Sequence, residues 1–234
     1  MNISLLHLLS VGDTKTANTN AEFVILLHGL ARTKRSLLKL EHYLENKGFR
    51  VVNIGYPSRR KTIQELSVDT IPKAIEKCLS LGAGKIHFVT HSMGGILVRY
   101  YLENNKISNL GRVVMLSPPN SGSEIVDKFE KSIVFKLING PAGKQLGTKP
   151  GSIPKAVGPP DYEVGIITGD KTITPISSLL IPGKSDGKVS VESAKLLGMK
   201  DFLVVHKTHS FIMNDKKVLE QVTAFLKNGM FNPD

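Results

Sequence analysis

The stretch Lys85-Ile-His-Phe-Val-Thr-His-Ser-Met-Gly-Gly-Ile-Leu-Val-Arg99 decides the fold. A short run of β-branched and aromatic residues, typical of a buried strand, leads into a helical apolar pattern, and small residues lie at the junction. This order predicts a strand, a sharp turn and a helix, with Ser92 at the apex of the turn. A turn of this kind lifts a serine hydroxyl above the sheet, where a base can activate it as a nucleophile. The alternative interpretation is that Ser92 only caps the helix.

Two histidines follow the serine along the chain and compete for the role of base. His206 lies next to the end of the predicted strand Phe202–Val205, whereas His209 lies in the loop that leads into the last helix. A base has to reach over the serine from a loop to accept its proton. We therefore favour His209.

Two aspartates are open as the acid that orients this histidine. Asp170 directly follows the predicted strand Glu163–Gly169, and Asp186 lies within a Ser-Asp-Gly sequence closer to His209. The acid would accept the Nδ1 proton of the histidine, fix its tautomer and stabilise the imidazolium. Because each aspartate stands beside a glycine, each could instead be only a turn residue.

Predicted strands and helices alternate along most of the chain, which is typical of an α/β fold with a mostly parallel, doubly wound sheet and helices on both faces. With 234 residues, 41% of them hydrophobic, the chain is long enough for one full core, so residues 1–234 are expected to form a single domain. The segment Asn120–Pro160 breaks the alternation. It is rich in glycine and proline and contains an apolar helical stretch, Ile125–Ile138.

From about residue 22 to the C-terminus, the sequence resembles the α/β-hydrolase superfamily, and more narrowly the bacterial lipases and the serine hydrolases related to GPI inositol-deacylases. The resemblance is carried by five motifs: His28-Gly-Leu30, His91-Ser-Met-Gly-Gly95, Pro118-Pro-Asn-Ser-Gly-Ser-Glu124, Ser185-Asp-Gly187 and His209. The serine turn of the family reads Gly-x-Ser-x-Gly. Here Thr90 replaces the first glycine, and a small residue at this position also occurs in some small bacterial lipases.

The resemblance implies a catalytic triad formed by Ser92, Asp186 and His209. Asp186 is preferred because its spacing from the histidine matches that of lipases, and Asp170 is the alternative acid. Chemistry of this kind needs no metal or organic cofactor.

The resemblance also implies an oxyanion hole made by the backbone N–H groups of Leu30 and Met93. His28 lies in the same motif as Leu30, at the end of an apolar strand. We interpret this histidine as a hydrogen-bonded scaffold residue and not as a base.

In this superfamily, an insertion at the position of residues 120–160 commonly forms a cap or lid over the serine, and a long irregular loop is usually functional. We expect its apolar residues, together with a later apolar segment, to line an acyl pocket. The pocket residues predicted on this basis are Phe129, Leu137, Leu179 and Leu180, with Ile133, Val134 and Ile138 beside them. The alternative is a surface excursion packed flat on the sheet.

The formal net charge is +11, from 31 basic and 20 acidic residues. Such a charge suits an anionic membrane surface, or it only increases solubility, which we favour. Nucleic acid is not an expected partner, since no recognition module is visible and aromatic residues make up only 6% of the chain.

Two further features of the sequence are the N-terminal stretch Met1–Ser10 and the cysteine Cys78. The N-terminal stretch lacks the basic region and the cleavage site of a signal peptide and is too short to span a bilayer. We interpret it as a first strand or helix and expect a cytoplasmic protein. Cys78 is the only cysteine, so no internal disulfide is possible, and its helical context predicts a core residue.

The sequence therefore predicts a serine hydrolase of the lipase or esterase type, which cleaves a small-molecule or lipid carboxylic ester through an acyl-enzyme. The alternatives are an acyltransferase, a thioester or amide hydrolase, and a non-catalytic binding module on the same scaffold. The intact order of serine, aspartate and histidine argues against the last of these.

Overall fold

The computed structural model describes residues 21–233, so the predictions for the N-terminal stretch lie outside the described residues. The sheet consists of β1 (Ala21–Leu27), β2 (Arg50–Ile54), β3 (Ala83–His91), β4 (Leu110–Leu116), β5 (Val164–Gly169) and β6 (Asp201–Val205). Within this part of the chain the six strands lie in the order β2-β1-β3-β4-β5-β6. Every neighbouring pair is parallel.

The helices cover both faces of the sheet. They are α1 (Leu38–Glu45), α2 (Ile63–Ser80), α3 (Met93–Asn104), α4 (Glu124–Phe129), α5 (Ile133–Lys144), α6 (Ile153–Ala156), α7 (Pro175–Leu180), α8 (Val191–Ala194) and α9 (Lys216–Asn228). Helices α2 and α3 bury their apolar sides in one core layer, and α1 and α9 bury theirs in the other. The predicted α/β fold with a doubly wound parallel sheet is confirmed. None of the helices between residues 21 and 233 combines the length and the apolar character needed to cross a bilayer.

The continuous apolar runs of the central strands follow from burial on both faces. In β1, Phe23, Ile25 and Leu27 point into the layer with α2 and α3, whereas Val24 and Leu26 point into the layer with α1 and α9. Side chains alternate along a strand, so a strand between two helical layers has to be apolar at every position.

The segment 120–160 is more ordered than its glycine and proline content indicates. The stretch Ile125–Ile138, expected as one helix, is split between α4 and α5, because Ser132 begins a new helix and its hydroxyl accepts a hydrogen bond from the Phe135 amide at 3.3 Å. Helix α5 is then bent at Gly140, which has φ 65°. A side chain there would collide with the carbonyl of Arg59, so this position requires glycine.

The second half of this segment belongs to the main core. Ala142, Leu146 and Ile153 are buried in the layer with α2 and α3. Arg99 of α3, only 3% exposed, donates hydrogen bonds to the carbonyls of Asn120 at 3.0 Å, Pro154 at 3.3 Å and Val157 at 2.7 Å. This one guanidinium therefore holds both ends of the segment.

Candidate active site

Ser92 lies at the sharp turn between β3 and α3. Its backbone has φ 53° and ψ −123°, a region that residues with a side chain rarely adopt. The turn is held by a hydrogen bond from the Ser92 amide to the Leu116 carbonyl at 2.8 Å and by another from the Gly95 amide to the Ser92 carbonyl at 3.0 Å. The serine hydroxyl makes no capping hydrogen bond to the helix, so it does not act as a helix cap.

Two glycines allow the close approach that this turn needs. A Cβ on Gly94 would lie 2.5 Å from the carbonyl oxygen of Leu27, so the start of α3 rests directly on the end of β1. A Cβ on Gly95 would lie 3.2 Å from the Thr90 hydroxyl. Because Gly95 has no side chain, there is room for the side chain of Thr90, which stands where the motif usually has its first glycine.

His209 connects Ser92 to Asp186. Its Nε2 lies 3.0 Å from the serine Oγ, and its Nδ1 lies 2.8 Å from Oδ2 of the aspartate. All three residues are buried. With Nδ1–H donating to the carboxylate, Nε2 is free to accept the hydrogen bond of the serine hydroxyl.

The environment of Asp186 keeps its carboxylate ionised. The other oxygen, Oδ1, accepts hydrogen bonds from the amides of Lys188 and Val189, each at 2.9 Å. Burial acts to raise the pKa of this carboxyl, but the charge of His209 and the hydrogen bonds to the carboxylate outweigh it, so the pKa is lowered overall.

Asp170 and His206, the two alternatives from the sequence, contact each other. The Nδ1 of His206 lies 2.9 Å from the Asp170 carboxylate, and the histidine is exposed. The structure does not bring Asp170 to His209, because each of the two residues follows the end of a neighbouring strand, β5 or β6, and the side chains meet there.

His91 contacts His209 directly. The sequence did not predict His91 as a site residue. Its Nε2–H donates a hydrogen bond to the carbonyl oxygen of His209 at 2.9 Å, and the two rings lie 4.8 Å apart. Complete burial and the neighbouring charge of His209 hold the pKa of His91 well below its usual range. Its position directly before the serine was the only signal in the sequence.

Both ring nitrogens of His28 are occupied by hydrogen bonds. Its ring stacks on Tyr56 with centroids 4.0 Å apart, its Nδ1–H donates to the Gly29 carbonyl at 2.9 Å, and its Nε2 accepts from the Tyr56 amide at 3.4 Å. Burial lowers the pKa of this histidine. These are the contacts of a scaffold residue.

Of the two residues predicted to supply oxyanion donors, Met93 follows the serine in the chain and Leu30 lines the same cavity as the serine. Met93 is the first residue of α3, where an N–H has no partner within its own helix. Leu30 lies in the turn after β1, beside Ala31, which has φ 54°. Across residues 21–233, neither amide donates a hydrogen bond to another backbone group.

A cavity of about 460 Å³ opens beside Ser92 and His209. Its apolar wall is formed by α4, α5 and α7 and includes Ile125, Val126, Phe129, Phe135, Ile138 and Leu180. Of the four predicted pocket residues, Phe129 and Leu180 therefore line the cavity.

The predictions for Leu137 and Leu179 are wrong, since these side chains are 77% and 87% exposed and lie outside the cavity. Ile133 and Val134 are also exposed. The reason is helical periodicity: α5 presents Phe135, Ile138 and Asn139 to the cavity, at spacings of three and four residues. The side chains of Ile133, Val134 and Leu137 therefore point outward.

Three comparisons with known proteins bear on this arrangement. The family described as the α/β hydrolase fold matches residues 22–146. A search of curated proteins finds no significant match. Among solved structures, a mature lipase of Bacillus licheniformis superposes with a TM-score of 0.71 at 17% identity, over 94% of this chain and 95% of that one.

Two further structures show the same likeness. A protein of Listeria innocua, the lin2722 gene product, has a TM-score of 0.60 at 18% identity, over 92% of this chain and 96% of that one. The phospholipase PlaB of Legionella pneumophila has a TM-score of 0.59 at 18% identity, over 75% of this chain and 46% of that one. At these identities the likeness shows the fold. The family match spans more than half of the residues of this chain, so the chain belongs to the α/β-hydrolase fold family.

Proposed function

We propose that the protein is a serine hydrolase of carboxylic esters, of the lipase or esterase type, and that Ser92, Asp186 and His209 are its catalytic triad. The observation that carries this proposal is the position of the His209 ring, 3.0 Å from the serine hydroxyl and 2.8 Å from the buried carboxylate. A strained backbone at Ser92 and a cavity beside its hydroxyl support the same function.

In the first half of the reaction, Nε2 of His209 removes the proton of Ser92 as the hydroxyl oxygen attacks the ester carbonyl carbon. The amides of Leu30 and Met93 donate hydrogen bonds to the oxyanion that forms. His209 then gives its proton to the departing alcohol, and the acyl group stays on the serine. Asp186 holds the imidazolium in place throughout this step.

In the second half, a water molecule replaces the alcohol. His209 accepts a proton from the water, whose oxygen attacks the acyl carbon, and the carboxylic acid is released as the proton returns to Ser92. An apolar wall of α4, α5 and α7 suits the hydrocarbon part of a small ester or a lipid.

We also propose that the segment 120–160 is a cap within a single domain. Phe129, Phe135 and Ile138 of this segment lie in the cavity wall. Its second half contributes Ala142 and Leu146 to the main core, so the part that covers the serine is α4 together with the first half of α5.

Ser92→Ala tests the assignment of the nucleophile. We expect the folded variant to lose on the order of 10³-fold or more of its hydrolysis of p-nitrophenyl esters from acetate to palmitate. Ser121→Ala, in the loop after β4, is the matched control and should retain activity. A fluorophosphonate probe should label Ser92 alone, and labelling of Ser117 or Ser121 in its place would disprove the assignment.

A further inference from the structure

Two cationic side chains line the cavity beside the proposed nucleophile. Arg32 follows the turn after β1, and Lys188 lies in the loop two residues after Asp186. No aspartate or glutamate is among the described residues that line this cavity. Many other cations of the described chain are in ion pairs, such as Lys61 with Asp69 at 2.6 Å. None of the ion pairs within residues 21–233 includes Arg32 or Lys188.

The two cations also act on each other. Desolvation and the charge of Arg32 lower the pKa of the Lys188 ammonium, although Asp186 acts in the opposite direction. The same guanidinium contributes to the lowered pKa of His91. Like charges that line the same cavity destabilise each other, and an anion bound between them removes this repulsion.

An adjoining cavity indicates on which side of the ester such an anion would lie. It has a volume of about 210 Å³ and shares Gly187, Lys188 and His209 with the first cavity. Asp186 also lines this second cavity, but its carboxylate is bound to His209 and to two backbone amides. The apolar wall of the first cavity suits an acyl chain. Because Arg32 lines only the first cavity, the region where the two cavities meet, next to Lys188 and His209, is then left for the alcohol, which is the group that His209 has to protonate.

We propose that the preferred substrate is an ester whose alcohol part carries a phosphate-type anion, and that Arg32 and Lys188 bind this anion. The proposal rests on the proposed ester hydrolysis. Arg32 presents a planar set of donors that matches two phosphate oxygens, and Lys188 supplies a point charge. An acyl glycerol phosphate combines all three features: an acyl chain, a scissile ester and an anionic alcohol.

The test compares two esters with the same acyl chain, hexanoyl glycerol and hexanoyl glycerol 3-phosphate, at concentrations below micelle formation. We expect the wild type to have a higher kcat/KM for the phosphate ester. Arg32→Gln and Lys188→Gln should each reduce the ratio of the two kcat/KM values by about tenfold or more, the contribution of one charge-assisted hydrogen bond. Arg35→Gln removes the same charge from an exposed residue outside both cavities and should leave the ratio unchanged.

Equal kcat/KM values for the two esters in the wild type, or an equal effect of Arg35→Gln, would overturn the proposal. So would strong competition by inorganic phosphate without any preference between the esters, because the cations would then bind free phosphate only. Binding of the phosphate ester to Ser92→Ala, measured by calorimetry, separates the two hypotheses. If this variant binds the phosphate ester more tightly than the neutral one but the wild type cleaves neither, the proposed function fails and the anion site stands.

Discussion

Replacing Asp186 by asparagine tests how the tautomer of His209 affects hydrolysis. The carboxylate Oδ1 accepts hydrogen bonds from the amides of Lys188 and Val189, each at 2.9 Å. In Asp186→Asn only the amide oxygen can accept these bonds, so it has to take the Oδ1 position. The side-chain NH₂ group then occupies the Oδ2 position, 2.8 Å from Nδ1 of the histidine.

This exchange reverses the hydrogen bond that orients His209, the proposed base. Nδ1 has to accept from the asparagine, which places the proton on Nε2, where it points at the Ser92 hydroxyl and prevents proton abstraction. We expect kcat to fall about 10⁴-fold, the loss that the wrong tautomer causes in serine triads. That loss corresponds to about 5.4 kcal/mol of transition-state stabilisation. The assay is the hydrolysis of p-nitrophenyl butyrate, with thermal melting to show that the variant is folded.

Asp170→Asn is the matched control, since it makes the same chemical change at the end of β5. Asp170 pairs with the exposed His206, and we expect its variant to retain most of the activity. The reasoning is refuted if Asp186→Asn keeps more than about a tenth of the wild-type kcat, or if the two variants lose similar amounts.

Two further substitutions test the turn and the apolar wall. Gly94→Ala places a methyl group 2.5 Å from the Leu27 carbonyl and should lower stability by about 1–3 kcal/mol, measured by denaturant unfolding; Gly158→Ala, whose added methyl would have only a flexible side chain within reach, should change little. Leu180→Ala should flatten the rise of kcat/KM with acyl length, which is up to about fourfold per methylene. Leu179→Ala, next to it but 87% exposed, should leave the chain-length profile intact, and an equal effect of the two would contradict the cavity assignment.

The fold and the position of Ser92 could be predicted because they depend on local pattern. A continuous apolar strand, small residues and a helical period follow each other without interruption in the printed sequence. Local pattern could not decide between Asp170 and Asp186, because both follow turn signals, and only the path of the loops brings one of them to His209.

Other features escaped prediction because they depend on the phase of a helix or on distant parts of the chain. The sequence predicts Leu137 inside the cavity. The break before Ser132 determines which side of α5 faces the cavity, and Leu137 lies on the exposed side. The contact of His91 with a carbonyl 118 residues away and the presence of Arg32 and Lys188 in the wall of one cavity require tertiary structure.

The hydrogen bonds of Arg99 have a consequence for redesign of substrate preference. The guanidinium binds main-chain carbonyls of Pro154 and Val157, and every residue type offers such an acceptor. This anchor therefore sets few requirements on the side chains of the segment that it holds. Within residues 124–139, the positions that face the cavity are therefore the ones to vary, whereas Val126, which is buried in the main core, and Asp127, which accepts hydrogen bonds from Thr148 in the second half of the segment, have to be kept. Combinatorial libraries confined to the cavity-facing positions are the natural way to vary the substrate preference of the proposed hydrolase.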